Sequence, residues 1–482
     1  MNYEFKTKPY DHQLTVFRES WDTREYALFM EMGTGKTKCT LDTAGALFES
    51  GKISAMLVIA PKGVYGNWVT KEIPSHLPDR IEKVVVQWQP SLTQKFRNEL
   101  KQLTAKTEDR VLRVLAMNVE ALSTGKGMDM ATHFLKKHPD NIVVIDESTT
   151  IKTRTAQRTK NIVKLGKLAK YKRILTGSPI TKNPMDLFSQ CEFLGAENLG
   201  FNSFYTFQNR YAVIQRRTMG NRSFNHIVGY RRLDELNEKL NRFSVRVLKE
   251  DCLDLPEKIY MQRDVALTRE QMEAYKQMSD YALAMLKGGK LSTTQSVLTQ
   301  ILRLQEICCG HLRVDDGQIR PLDNNRMTEM QNVISEMNGK VIIWASYVYD
   351  IRAIEDTLKK EHGDDSVVTF YGSTPSADRD DIVSQFQDPD SPVRFFVANP
   401  KTGGYGLTLT AATNMIYYNN SYDLEIRLQS EDRAHRIGQT KHVLYVDLVA
   451  RGTVDERILQ ALRNKISIAS QILGEDAGSW LL

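Results

Sequence analysis

Short runs of apolar, β-branched residues alternate with segments of helical period through both halves of the chain. In the first half the runs are AMLVIA (55–60), VVVQW (84–88), VLRVLA (111–116), IVVID (142–146) and RILTG (173–177). Runs this continuously apolar belong to strands buried on both faces, as in a parallel sheet covered by helices. The second half repeats the grammar with KVIIWAS (340–346), VVTFYG (367–372), RFFVANP (394–400), NMIYYNN (414–420) and HVLYVDLV (442–449). Two α/β sheets in tandem is the economical reading. Between about 190 and 340 the pattern changes. YAVIQRR (211–217), a turn at Thr218-Met219-Gly220-Asn221 and RSFNHIVGY (222–230) predict a β-hairpin. Helical spacing follows in LDELNEKLNRF and in EQMEAYKQMSDYALAMLKG (270–288), with no Gly/Ser/Pro tether between the halves.

Chemistry enters at YALFMEMGTGKTKCTLDTAGAL (26–47), where an apolar run leads into Gly33-Thr34-Gly35-Lys36-Thr37 and then a helical pattern through Leu41, Ala44 and Leu47. That is the order of a phosphate-cradling loop: strand, glycine turn, helix N-terminus. Lys36 supplies a point charge for the β/γ phosphates and Thr37 a hydroxyl for Mg²⁺. The strict pattern wants glycine at position 30, where this chain has Met30, so a glycine turn opening a buried helix is the alternative. A carboxylate for the metal is found at Asp146-Glu147, ending IVVID; strand C-termini line the ligand crevice of an open parallel sheet. Asp146 would hold Mg²⁺ and Glu147 would orient or deprotonate the attacking water; a solvated acidic turn is the alternative. Thr176-Gly177-Ser178-Pro179 ends another strand, either as a relay of nucleotide state or as an ordinary turn. In the second half Thr402-Gly403-Gly404-Tyr405-Gly406 permits close backbone approach to phosphate or between elements. In QSEDRAHRIGQ (429–439), Arg433 and Arg436 are three apart and predicted to share one helical face. Two arginines there could reach a γ-phosphate, or could line a solvated helix.

With 482 residues, 41% hydrophobic and 26% charged, the chain has room for two large domains of ordinary globular composition. No apolar stretch approaches the length of a membrane span, and MNYEFKTKPYDHQ lacks the apolar core of a secretory signal. Five cysteines without CxxC spacing suit a reducing compartment without structural zinc. Cys308-Cys309 near His311 reads as buried thiols on a helix rather than a metal fragment. A net charge of +6 permits a polyanion partner without a basic tail, so any nucleic-acid surface is assembled by folding.

Read together, MEMGTGKT, VIAPKGVYGNW, DESTTIK, LTGSPITKNPMDLFSQCEFL, LDLPEK, YGSTPSADRDDIVSQF and EDRAHRIGQTKHV resemble the SNF-type (sucrose-nonfermenting) remodelling ATPases of helicase superfamily two, block by block from Tyr10 to about Ile458. The resemblance implies two tandem RecA-like parallel-sheet lobes with helical and β-hairpin insertions between them: lobe 1 at 1–195, its family-specific insertion at 196–250, a helical insertion or linker of lobe 2 at 251–335, and lobe 2 at 336–482. It implies ATP and Mg²⁺ as cofactors. Gln13 falls in the adenine-reading motif; Gly33, Thr34, Gly35, Lys36, Thr37, Gly404 and Gly406 in ATP binding; Thr37 and Asp146 at the metal; Lys36, Asp146, Glu147, Arg433 and Arg436 in catalysis, the arginines as fingers. Lys62, Asn67, Asn118, Ser346, Ser373, Thr374, Lys401 and Thr402 fall on strand-contact loops, and Thr176, Ser178 and Gln429 in coupling motifs. Trp68 and Trp344 lie in the same blocks and read as core packing. The chain departs from the pattern at His12, where an aromatic hydrocarbon ring is usual, and at Thr149, where histidine is common.

The implied activity is ATP-dependent translocation on double-stranded or branched DNA, serving branch migration, fork regression, annealing or protein clearance. A strand-separating helicase on DNA or RNA, a recycling factor for RNA polymerase, and a nucleotide-gated DNA clamp are the alternatives. RNA polymerase or replication and recombination proteins are candidate partners, the chain is expected to be monomeric, and no membrane is expected. With no chromatin-reading block in the sequence, a bacterial, archaeal or viral setting in the cytoplasm is the expectation.

Overall fold

The computed structural model describes residues 3–91, 93–104, 110–219, 222–252, 254–287, 294–313, 318–375, 377–403 and 407–473. The chain divides into two compact units: Met1–Ile214 with Ile227–Asp254 and Ile468–Ala477, and Gln215–His226 with Leu255–Ser467 and Gly478–Leu482. The first is built on β1 (Glu25–Met30), β2 (Ala55–Ala60), β3 (Lys83–Gln87), β4 (Leu112–Asn118), β5 (Asn141–Asp146) and β6 (Tyr171–Leu175). A separate two-stranded sheet, β7 (Ala212–Met219) with β8 (Arg222–Tyr230), precedes β9 (Ser244–Val247). The large sheet runs β3-β4-β2-β5-β6-β1-β9, every pairing parallel.

The continuous apolar runs are explained by what covers the sheet. All six residues of β2 are buried, and they alternate between two cores. Ala55, Leu57 and Ile59 join Phe134, Leu187 and Phe207 on one face; Met56, Val58 and Ala60 join Leu41, Leu47 and Trp68 on the other. Each fully buried large side chain contributes about 1.5–3 kcal/mol from area removed from water, so a one-residue register slip would exchange both faces and is strongly disfavoured.

The second unit holds β10 (Lys258–Asp264), the antiparallel pair β11 (His311–Arg313) and β12 (Ile319–Pro321), β13 (Lys340–Trp344), β14 (Val367–Phe370), β15 (Phe395–Ala398), β16 (Ala412–Tyr417) and β17 (Val443–Val449). Its large sheet, β10-β17-β16-β13-β15-β14, is also parallel throughout. Along β13, Val341 and Ile343 enter one core while Ile342 and Trp344 enter another.

Two parallel-sheet α/β lobes are thus present as the pattern predicts. The strand ends differ: β6 stops at Leu175, β13 at Trp344 and β16 at Tyr417, each short of the end of its apolar run. Two sheet strands have no counterpart in the apolar pattern. Ser244–Val247 pairs with β1 inside the stretch read as an insertion, and Lys258–Asp264 pairs with β17 inside the stretch read as helical. β10 is only half-covered, with no buried position, so it lacks the apolar run that marks an interior strand. The predicted hairpin is present as β7 and β8; Gly220 and Asn221 of its turn lie outside the described residues. All five cysteines are free thiols, four of them buried.

Candidate functional site

The loop after β1 is shaped by two glycines at positive φ, Gly33 at 86° and Gly35 at 96°. Gly35 caps the helix Lys36–Glu49 in the left-handed region, and a Cβ there would come within 2.2 Å of the Gln13 amide nitrogen. No other residue type fits that position without displacing Gln13. The Lys36 Nζ donates to the carbonyls of Met30 (2.9 Å) and Glu31 (3.3 Å), curling the loop around the ammonium. Thr34, fully buried, donates its hydroxyl to Glu31 O at 2.8 Å. Its own carbonyl receives Gln13 Nε2 at 3.0 Å and sits 2.8 Å from His12 Nε2. The departure at His12 is therefore occupied by a polar brace, its ring stacked on Tyr10. Gln13 also accepts the Tyr10 N–H, so its amide ties the first helix to the loop at both ends. Thr40 and Thr43 turn their hydroxyls back onto helix carbonyls, whereas Thr37 makes no such bond among the described residues.

Asp146, the last residue of β5, is buried. Its Oδ2 accepts the indole N–H of Trp68 at 2.8 Å and its Oδ1 accepts the Glu147 N–H at 3.0 Å. Burial pushes the carboxyl up, while the Trp68 bond and the charge of Lys36 pull it back towards ionisation. A buried carboxylate sustained by outside positive charge suits a divalent cation, and Thr37 has a hydroxyl to add. Among the described residues no group of three or more His, Cys, Asp and Glu forms a protein-only metal cage. The residues present fit Mg²⁺, which takes one or two protein ligands and completes its shell from phosphate and water. Glu147 adopts φ 50°, one of two non-glycine residues with positive φ among the described residues. Such strain, on the order of 1–3 kcal/mol, persists where surrounding contacts impose it and clusters at functional sites.

The next loop is bound to this one. Ser148 Oγ donates to Gln190 Oε1 at 2.7 Å, and Gln190 Nε2 donates to Pro179 O at 2.8 Å, joining the acidic turn to the Thr176–Pro179 turn. Thr176 is buried and accepts the Ser178 N–H on its hydroxyl. A Cβ on Gly177 would lie 3.3 Å from the Met32 nitrogen, so this turn and the phosphate loop run side by side. Arg246 of β9 locks them together, donating to Phe29 O (3.1 Å) and Gly177 O (2.8 Å) and pairing with Glu31 at 3.8 Å. Trp68, Gln190 and Arg246 were not among the residues singled out by chemistry from the sequence, and Trp68 is both core and hydrogen-bond donor.

The strand-contact candidates of this lobe share the same sheet edge. Asn118, at the end of β4, is in register with Ala60 at the end of β2, and Lys62 and Asn67 follow β2 directly. Lys62 is exposed, and Asn118 donates to Glu120 at 2.9 Å. In the other lobe Ser346, Ser373, Thr374, Lys401 and Thr402 follow β13, β14 and β15 at the corresponding edge. Asn399 organises them: its side chain donates to Ser346 O (2.8 Å) and accepts the Lys401 N–H (2.9 Å), and its carbonyl accepts the Thr402 N–H (3.0 Å). The Ser346 N–H is held by Asn419, which in turn donates to Asp350. Thr374 uses its hydroxyl to accept the Tyr371 N–H, and Ser373 and Lys401 are exposed. Trp344 packs against Gly403 in the core. Gly404 and Gly406 lie outside the described residues.

Arg433 and Arg436 do not share a helical face. The helix Leu424–Glu431 ends before them. Arg433 donates its Nε to Gln429 O at 2.7 Å, taking the carbonyl a further helical turn would need, and its N–H goes to Ser430 instead. The two guanidinium groups still converge: both donate to Leu407 O, at 3.0 and 3.1 Å. Arg433 is only 1% exposed, whereas Arg436 is half-buried. The helix ahead of them is fastened to the sheet by Arg427, paired with Asp447 and Glu431, and by Tyr260 and Lys258 on Glu431. Gln429 itself is buried, its amide nitrogen 3.4 Å from Glu425.

A SNF2-related domain model matches residues 13–312, and a helicase conserved C-terminal domain model matches residues 325–438. The chain belongs to the SNF2-related family. It is 26% identical over 463 residues to YwqA of Bacillus subtilis, whose name carries the words ATP-dependent helicase/translocase, covering 94% of this chain and 46% of that one. It is 26% identical over 447 residues to the cattle DNA annealing helicase and endonuclease ZRANB3, covering 92% and 38%. The chain spans about half or less of the length of these curated relatives. The solved Sulfolobus solfataricus SWI2/SNF2 ATPase core in complex with dsDNA is 25% identical, with coverage of 100% and 97% and a TM-score of 0.43. In this SNF2-related chain the phosphate loop, the acidic pair and the Thr176 turn occupy one edge of one parallel sheet.

Proposed function

We propose that the protein is an ATP-driven translocase on double-stranded DNA. One observation carries the reading: Lys36, Asp146-Glu147 and the Thr176 turn are wired together through Gln190 and Arg246, at the sheet edge where Lys62, Asn67 and Asn118 also lie. The Trp68–Asp146 bond extends this wiring to the residue next to Asn67, so a change at the acidic pair can reach that strand-contact loop. In this reading Gly33, Thr34 and Gly35 present backbone N–H groups to the triphosphate and Lys36 neutralises its end. Thr37 and Asp146 are the residues that would hold Mg²⁺, which would supply positive charge beside the triphosphate. Glu147 orients the attacking water and takes its proton, and Arg433 and Arg436 serve as arginine fingers. Lys62, Lys401 and the loop hydroxyls and amides contact the sugar-phosphate backbone, which makes binding sequence-tolerant and salt-dependent.

ATP hydrolysis compared across duplex, forked, four-way and single-stranded DNA and RNA tests this directly. Duplex-containing DNA should stimulate most, and the protein should displace a triplex-forming strand without unwinding the duplex. Hydrolysis indifferent to duplex, or undiminished in Lys36→Ala or Glu147→Gln, would overturn the reading.

A further inference from the structure

Between Asn198 and Leu233 the sequence carries six arginines (Arg210, Arg216, Arg217, Arg222, Arg231, Arg232), no lysine, and neither aspartate nor glutamate. The segment's +6 equals the formal charge of the whole chain, so everything outside it sums to zero. Three of these arginines, Arg216, Arg217 and Arg222, lie on the β7–β8 hairpin and the other three flank its base; the strands of 8 and 9 residues extend roughly 26 Å at about 3.3 Å per residue.

A two-stranded ribbon is marginal alone, and the base of this one is anchored. There Ile214, Ile227 and Tyr230 pack on the core of the first unit. Glu235 binds Arg210 through two bonds (2.5 and 3.1 Å) and lies 3.7 Å from Arg232, while Arg231 donates to Asn209 O at 2.6 Å. The basal arginines are thus used in holding the ribbon. Farther out the surface is polar and uncovered: Gln215, Arg216, Thr218, Ser223, Asn225 and His226 are exposed, with Thr218 and Ser223 facing each other across the strands at 3.4 Å. Arg216 has no ion-pair partner among the described residues.

We infer that this hairpin is a second nucleic-acid contact, gripping the phosphate backbone of a DNA duplex away from the sheet-edge loops. Guanidinium forks match phosphate oxygens two at a time, and arginine desolvates more readily than lysine, so an all-arginine ribbon without carboxylates is complementary to a polyanion. The choice of DNA as the polyanion rests on the translocase reading; the charge placement does not.

The test is equilibrium binding of the full chain to fluorescent duplex and four-way DNA from about 50 to about 200 mM salt, comparing wild type with the triple variant Arg216→Gln, Arg217→Gln, Arg222→Gln. Each lost phosphate contact lowers the slope of log affinity against log salt by about 0.9, so a fall of about 2–3 is expected. The triple lysine variant should restore most of the slope. An unchanged melting temperature separates lost contact from lost fold, and Arg216→Gln alone should lower the slope by about 1 if the triple variant does not fold. Wild-type slope and affinity in a folded triple-glutamine variant would overturn the inference, including if the hairpin instead meets an acidic protein. Because the readout is binding, absence of DNA-stimulated hydrolysis would sink the translocase reading while leaving the hairpin result standing.

Discussion

Replacing Trp68 by phenylalanine removes one hydrogen bond from the carboxylate proposed to hold Mg²⁺ and keeps most of the buried ring. The indole N–H reaches Asp146 Oδ2 at 2.8 Å in a site where both residues are buried. A hydrogen bond to a charged acceptor is worth about 1.5–3 kcal/mol, and 1.4 kcal/mol is about tenfold. Loss of the bond leaves Asp146 less able to stay ionised, since the bond is among the influences that hold its carboxyl down against burial. Partners that orient a metal ligand typically change metal affinity about 10–100-fold when removed. Trp68→Phe should therefore raise the Mg²⁺ concentration giving half-maximal ATP hydrolysis about 10–100-fold, with rates approaching wild type at high Mg²⁺. The assay is a Mg²⁺ titration at saturating ATP, alongside a thermal melt. A wild-type Mg²⁺ midpoint in a folded variant would refute the argument that Trp68 positions Asp146. A lowered rate that no Mg²⁺ concentration rescues would refute it as well.

The two arginines should separate. Arg436→Ala should lose roughly 10³–10⁵ in hydrolysis rate with little change in melting temperature, while Arg433→Ala, which strips the buried Gln429 carbonyl of its side-chain donor, should also lose about 1–3 kcal/mol of stability; equal melting temperatures in the two variants would contradict this. Gln190→Leu orphans Ser148 Oγ and Pro179 O, so DNA stimulation of hydrolysis should drop along with about 2–4 kcal/mol of stability; an undiminished stimulation ratio would show that this bond does not couple the turns. Asp42, buried beside Lys38, has its carboxyl raised by burial from 3.8 to about 6. A carboxyl raised on folding holds its proton more tightly in the native state, so its contribution is fully present below about pH 4 and lost as pH rises through about 6. Asp42→Asn should gain on wild type across that window by about 3 kcal/mol at most, and parallel melting curves against pH would refute it.

What could be read without coordinates was what lies within a few residues. The strand runs at 55–60 and 142–146 are legible because both faces of the sheet are covered, leaving no solvent-facing position along them and apolar residues up to Asp146. The glycines of the phosphate loop are legible because Gly33 and Gly35 take left-handed backbone that few other residues adopt. β9 and β10 were not legible. They lie at sheet edges, where one side is open and short mixed sequences suffice. The helical face expected for Arg433 and Arg436 failed for a local reason with a tertiary trigger: the Arg433 side chain competes for the Gln429 carbonyl and is drawn down to Leu407.

By itself, then, the sequence determined the two parallel-sheet lobes and the identity of the chemical groups, since apolar periodicity and short-range backbone demands are written in consecutive residues. Only the tertiary structure decided how those groups are connected. Trp68 meets Asp146 from 78 residues away, Ser148 meets Gln190 from 42, and Arg246 meets Phe29 from 217. Each of these bonds exists because the parallel sheet brings distant segments side by side, and nothing in the local pattern of a tryptophan, a glutamine or an arginine says which segment that will be.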